Sequence, residues 1–210
     1  IMKEYRNPWL WIPTLYFAEG IPYFIVNNIS VVMFKNMGMP NGMLALYTSL
    51  LYLPWVIKPL WSPFVDIIRT KRWWIISMQV LMSVAMMLLP FMLPKGDGAL
   101  FASSPLFYVT LLLFWITAFA SATHDIAADG FYMLGLDTHE QALFVGIRST
   151  FYRIATIAGQ GLLIMLAGHL ETATGNIPFA WSITFMVLAG LFLGLWAYHK
   201  FILPCPDSDK

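Results

Sequence analysis

Six long apolar stretches leave this chain few ways to fold. They run over Trp9–Phe34, Met43–Phe64, Trp73–Leu93, Pro105–Leu134, Ala142–Leu170 and Pro178–Leu203. Each reaches the roughly 20 residues that a helix needs to cross hydrocarbon. The connections are short and hold most of the ordinary charges. A spanning segment finds no water to satisfy its backbone, so continuous runs of this length predict helices. Strands of a membrane barrel would instead alternate over segments of about ten residues. The expected fold is an all-α bundle of six transmembrane helices.

Composition agrees. The chain is 59% hydrophobic and 11% charged, where soluble domains are about a quarter charged. Nine Trp and nine Tyr suit helix ends at the lipid–water boundary. A net charge of +1 offers no footprint for nucleic acid. The single Cys205 excludes an internal disulfide and any cysteine-based metal site, and no metal or cofactor is expected. The first apolar run is about twice the length of a signal-peptide core, so it reads as a span and not as a cleavable leader.

Lys and Arg set the expected orientation. One side carries Lys3, Arg6, Arg69, Lys71, Arg72, Lys200 and Lys210, and the other only Lys35 and Lys95. The rich side is expected to be cytoplasmic, with both ends inside. Residues 1–203 form the bundle in this reading, and the polar, Pro-rich stretch 204–210 begins a cytoplasmic linker.

Charges inside the apolar runs single out the chemistry, because a buried ionisable group in a membrane is costly and marks a pathway or a structural pair. Glu19 falls near the middle of the first run, beside Gly20 and Pro22, which weaken the helix there; Asn27 and Asn28 follow. Interrupted helices at mid-membrane point to transporter binding sites. Asp125 and Asp129 lie four residues apart and share one helix face. Counted from the polar bend at Asp137–Glu140, Asp129 is level with Arg148 and Asp125 with Arg153, so a helical hairpin should form two acid–base pairs. Thr123, His124, Tyr132, Tyr152 and Gln160 add hydrogen-bonding groups on the same two helices. Lys58 is placed either to snorkel or to partner Glu19 or Asp66. The third and sixth runs read as scaffold, the sixth with Gly190 and Gly194 spaced for close helix contact. A carboxylate shifted one way by burial and the other by a cation can load and release a proton, and Glu19, Asp125 and Asp129 are equal candidates.

These residues resemble the amino-terminal half of a major facilitator superfamily transporter, and within it the branch of peptide/acetyl-coenzyme A transporters and AmpG-type muropeptide permeases. The resemblance rests on Phe17-Ala18-Glu19-Gly20-Ile21-Pro22, Lys58–Asp66, Ala122–Gly130, Gly146-Ile147-Arg148 and Tyr152-Arg153, and covers all six segments. In the superfamily's loop between the second and third helices, Asp66 and Lys71 match; Ser62 and Arg69 replace glycines, and Ile67 and Thr70 replace bases. The resemblance implies three-plus-three inverted repeats, six further helices in a second half, and a gating loop at Asp66, Arg69, Lys71 and Arg72. It also implies proton-driven import of a sugar- or peptide-containing solute across a bacterial inner membrane. Among the residues themselves, Asn27, Asn28, Tyr132, Arg148, Tyr152, Arg153 and Gln160 are the candidates to meet the solute, with Arg148 and Arg153 either holding an anionic solute or only neutralising Asp125 and Asp129. The expected partners are lipid, the solute, protons and the second half. Two rivals remain. His124-Asp125-x3-Asp129 evokes metal-dependent phosphotransfer, but the second acidic pair that chemistry needs is missing. The other rival is a non-transporting sensor or scaffold on the same fold.

Overall fold

The computed structural model describes residues 5–94 and 104–209. Among these, every regular element is helical and six helices are long and apolar enough to cross a membrane: Pro8–Asn36, Asn41–Leu60, Lys71–Met92, Pro105–Gly135, Thr138–Thr174 and Ile177–Ile202. They follow the six apolar runs to within a few residues at most ends. The second span is the exception. It stops at Leu60, and Ser62–Ile67 forms a separate short helix. Within the span, short helical turns succeed one another at Leu50–Tyr52, Leu53–Ile57 and Lys58–Leu60, with Pro54 and Pro59 each opening a new turn. Proline cannot continue the preceding hydrogen-bond ladder but fits the first turn of the next.

The ends are capped by their own polar residues. Thr70 accepts from the Trp73 N–H at 3.0 Å at the start of the third span. Asp137 and Glu140 form a reciprocal capping box at the start of the fifth. Gly175, with φ +64°, ends the fifth span in the left-handed turn that favours glycine. Asn176 then caps the sixth through the Phe179 N–H at 3.0 Å.

The third span packs between the fourth and sixth, and the first lies against the fourth and fifth. Gly20 has a packing role here that its expected helix-weakening role does not describe. A Cβ on it would lie 2.8 Å from Ala155 Cβ and 3.0 Å from the Tyr152 carbonyl, so the first and fifth spans meet where only glycine fits. The helix also runs unbroken through Gly20 and Pro22 to Phe24. Its irregularity comes just after, as a π-helical stretch at Ile25–Ile29, downstream of the N–H that Pro22 withholds. A second π-helical stretch, Ala158–Leu163, lies against the first, and a Cβ on Gly159 would sit 3.2 Å from Phe24 Cβ. The Gly190–Gly194 pair, by contrast, makes no close helix contact: a Cβ at either would meet nothing within 4 Å. Those glycines line an open groove with Thr14 and Tyr198.

The described basic residues of the Lys/Arg-rich set gather at one end. There Arg72 donates to the carbonyls of Lys200 at 2.5 Å and Leu203 at 3.4 Å. Lys35 lies at the opposite end, bonded to Asn41 at 2.5 Å. Lys3, Lys95 and Lys210 fall outside the described residues. Asp209 folds back to accept the backbone N–H groups of Lys71 at 2.6 Å and Arg72 at 3.0 Å, and Ser208 donates to the Leu134 carbonyl at 3.1 Å. The stretch expected to start a linker is thus tied to the third and fourth spans.

Candidate functional site

The first, fourth and fifth spans line an open cavity of about 320 Å³ whose walls are Tyr16, Glu19, Asp129, Arg148, Ser149, Tyr152 and Arg153. The close approach at Gly20 adjoins it. Glu19 comes from one residue before that contact and Tyr152 from the turn facing it. Tyr16 and Glu19 are three residues apart, so one helix face delivers both.

Asp129 and Arg148 form the expected ion pair, at 3.1 Å. The Tyr16 hydroxyl donates to Asp129 at 3.0 Å and accepts from the Arg148 guanidinium at 3.0 Å. Arg148 also lies over the rings of Tyr16 and Tyr132, 5.3 and 4.8 Å from their centroids. The side chains are 52% and 31% exposed, so the ion pair alone adds little stability. Its aromatic clamp fixes the guanidinium in place.

The second expected pair, Asp125 with Arg153, does not form. Arg153 lines the cavity and, among the described residues, is in no ion pair. Asp125 is buried, with Oδ1 unpartnered. It faces the second span, where Lys58 is the cation acting most strongly on it. The Trp55 indole N–H approaches the same carboxylate without closing a hydrogen bond. Equal counts from the bend did not bring these two side chains together. Lys58 also acts on Glu19, whose strongest charged neighbour is Asp125. Glu19 is buried with Oε2 unpartnered. Two carboxylates with orphaned oxygens and one half-buried lysine therefore share the space between the first, second and fourth spans.

Other expected site residues lie elsewhere. Asn27 donates to the Tyr23 carbonyl at 3.0 Å; it and Asn28 belong to the first π-helical stretch, and Gln160 to the second, away from the cavity walls. Tyr132 supports Arg148 from behind and donates to the Gln141 carbonyl. At the loop, Lys71 is buried; its ammonium bonds Asp66 and the Val65 carbonyl. Its stem covers Gly130, where a Cβ would come within 2.9 Å of Lys71 Cε. Asp66 therefore partners Lys71 and not Lys58. Arg69 adopts φ +65° and stands 6.0 Å over the Trp73 ring.

A polar chain through the scaffold escaped the sequence reading. The buried Gln79 amide nitrogen lies 3.1 Å from His124 Nε2 and 2.8 Å from His199 Nδ1, and His199 Nε2 lies 2.9 Å from Thr14 Oγ1. If the amide donates to both rings, His199 carries its proton on Nε2 and His124 on Nδ1, and that Nδ1 has no partner. The chain joins the third, fourth, sixth and first spans.

The fold and the charged interior together define a multi-pass helical bundle with a polar, ionisable cavity. No family model matches the chain, and no solved structure does. It is similar to an uncharacterized protein of Haemophilus influenzae, 28% identical over 185 residues, covering 86% of this chain and 40% of that protein. It is also similar to an uncharacterized protein of Schizosaccharomyces pombe, 27% identical over 217 residues, covering 95% of this chain and 38% of that protein. The chain thus spans about two fifths of the length of these curated relatives.

Proposed function

We propose that this chain is the solute-binding, proton-coupling half of a secondary active transporter of the major facilitator type. The protein of which it is part would import a sugar- or peptide-containing solute, such as a muropeptide or amino sugar, by proton symport. The observation that carries this reading is the cavity at Glu19, Asp129, Arg148 and Arg153, because intramembrane ionisable groups around a cavity are functional by default. Arg153 offers a guanidinium that no described carboxylate pairs, suited to a carboxylate or phosphate, and Tyr152 and Ser149 offer hydroxyls. Glu19 and Asp125 share the coupled proton, opposed by Lys58.

The second and fifth spans support the two-halves part. Each is only 17% buried across its most apolar window, against 39–67% for the other four. Their free sides are where the remaining length of such a protein would pack. The basic end would face the cytoplasm of a bacterial inner membrane, and the loop from Asp66 to Arg72 would gate the cavity.

The test is uptake in proteoliposomes made with the full-length protein, using labelled anhydro-muropeptide and related amino sugars. Accumulation that needs an inward proton gradient is the expected result. Binding without accumulation would point to a sensor instead, and neither binding nor uptake would remove the solute class.

A further inference from the structure

Between the third and fourth spans, sharing no lining residue with the charged cavity, lies an apolar groove of about 500 Å³. Trp74, Met78, Leu81, Leu112, Trp115 and Phe119 line it. Its walls are braced: Trp115 stacks on Phe119 at 5.9 Å, Trp61 packs on the same ring at 5.4 Å, and the Trp61 indole donates to Thr123 at 3.1 Å. At its end nearest the basic loop, the Trp74 indole donates to the Ile68 carbonyl at 2.6 Å. The next residue is Arg69, held in the left-handed conformation with its guanidinium over Trp73. Beside it, Leu60, Phe64 and Ile67 stand exposed at 73%, 60% and 81%. An apolar rim on a short helix, adjoining bases, suits the boundary between headgroups and acyl chains.

The neighbouring bases are already engaged, Lys71 with Asp66 and Arg72 with the carbonyls of Lys200 and Leu203. Among the described residues, no carboxylate pairs with Arg69. The groove thus ends at the Ile68 carbonyl, one residue before a base that no described carboxylate pairs, and an apolar slot adjoining such a base is complementary to an amphiphilic anion. We infer that the groove between the third and fourth spans seats an acyl chain of an anionic phospholipid whose headgroup charge is held by Arg69. The site is independent of the transport reading.

The purified, delipidated protein is offered phosphatidylglycerol and phosphatidylcholine of matched chains, and bound lipid is counted by native mass spectrometry. About a fivefold preference for phosphatidylglycerol is expected, the advantage of one basic side chain near anionic lipid. Arg69→Gln removes the preference and Arg69→Lys keeps it. Leu112→Trp, on the exposed wall of the groove, lowers retention of both lipids. Equal retention by the unaltered protein, or an unchanged preference in Arg69→Gln with helix content intact, overturns the inference. Displacement of the lipid by inorganic phosphate at equal concentration also overturns it, by marking a free-anion site.

Discussion

Tyr16 holds one hydroxyl between two opposite charges, giving its proton to Asp129 and accepting one from Arg148. Tyr16→Phe keeps the ring under the guanidinium but unties both bonds. It should cost about 1 kcal/mol for the lost hydrogen bonding, read as a lowered midpoint of thermal unfolding in detergent. The two cavity arginines should separate in a binding assay. Arg153→Ala should weaken solute binding by at least about tenfold, the scale of one charge-assisted hydrogen bond, whereas Arg148→Ala acts chiefly on stability. Equal and negligible effects on binding would assign both to structure. Asp125→Asn should abolish gradient-driven accumulation while the protein still folds and inserts; accumulation at the unaltered level would remove Asp125 from coupling. The sequence singled out Glu19 on the first run and grouped Asp125, Asp129, Arg148 and Arg153 as two acid–base pairs, because charge in an apolar run has few destinations. The cavity instead joins Glu19 to Asp129, Arg148 and Arg153 and leaves Asp125 off its walls. The sequence missed Tyr16 and Ser149, since a hydroxyl in an aromatic-rich helix carries no such signal, although the three-residue spacing of Tyr16 from Glu19 was there to read. Asn27, Asn28 and Gln160 lie off the cavity walls, because polarity alone does not give the direction of a side chain across an irregular turn.

Whole helices were the most legible part, since hydrocarbon thickness sets their length and apolar runs show where they lie. What composition could not show is how closely they meet. Gly20 sits 2.8 Å from Ala155 in Cβ terms, so Gly20→Val should force the first and fifth spans apart and cost about 1–3 kcal/mol. The cavity between them should lose affinity with it, checked by unfolding and solute binding on one preparation. The Thr14–His199–Gln79–His124 chain is the other element-level feature. Gln79→Leu would strand two buried imidazoles, at about 1–3 kcal/mol for each unsatisfied group. Restored stability in a variant that also replaces both histidines with apolar residues would confirm that the cost is polar. Gln79 was illegible because one amide in a Met-rich helix looks like tolerated polarity until its partners on three other helices are known.

At the scale of the molecule, the end bearing the basic loop is held by single residues acting across long sequence distances. Asp209 caps the first turn of the third span through two backbone N–H groups. Asp209→Ala should free residues 204–209, seen as faster amide exchange there and at Lys71 and Arg72, with the distant cavity unaffected. Six-span organisation was readable because each span announces itself. The three-plus-three arrangement and the second half were not readable from these residues alone; they entered through a resemblance. The paired π-helical stretches change the phase of the helices that hold them. Each accommodates the equivalent of one extra residue, so the helix beyond it is turned by about 100° relative to an uninterrupted one. The first span is therefore two helices sharing an axis but not a phase. A helical wheel drawn from Pro8 assigns the wrong face to everything after Ile29, and trimming one residue from Ile25–Ile29 would restore a continuous α-helix that keeps Ser30–Asn36 on its present neighbours.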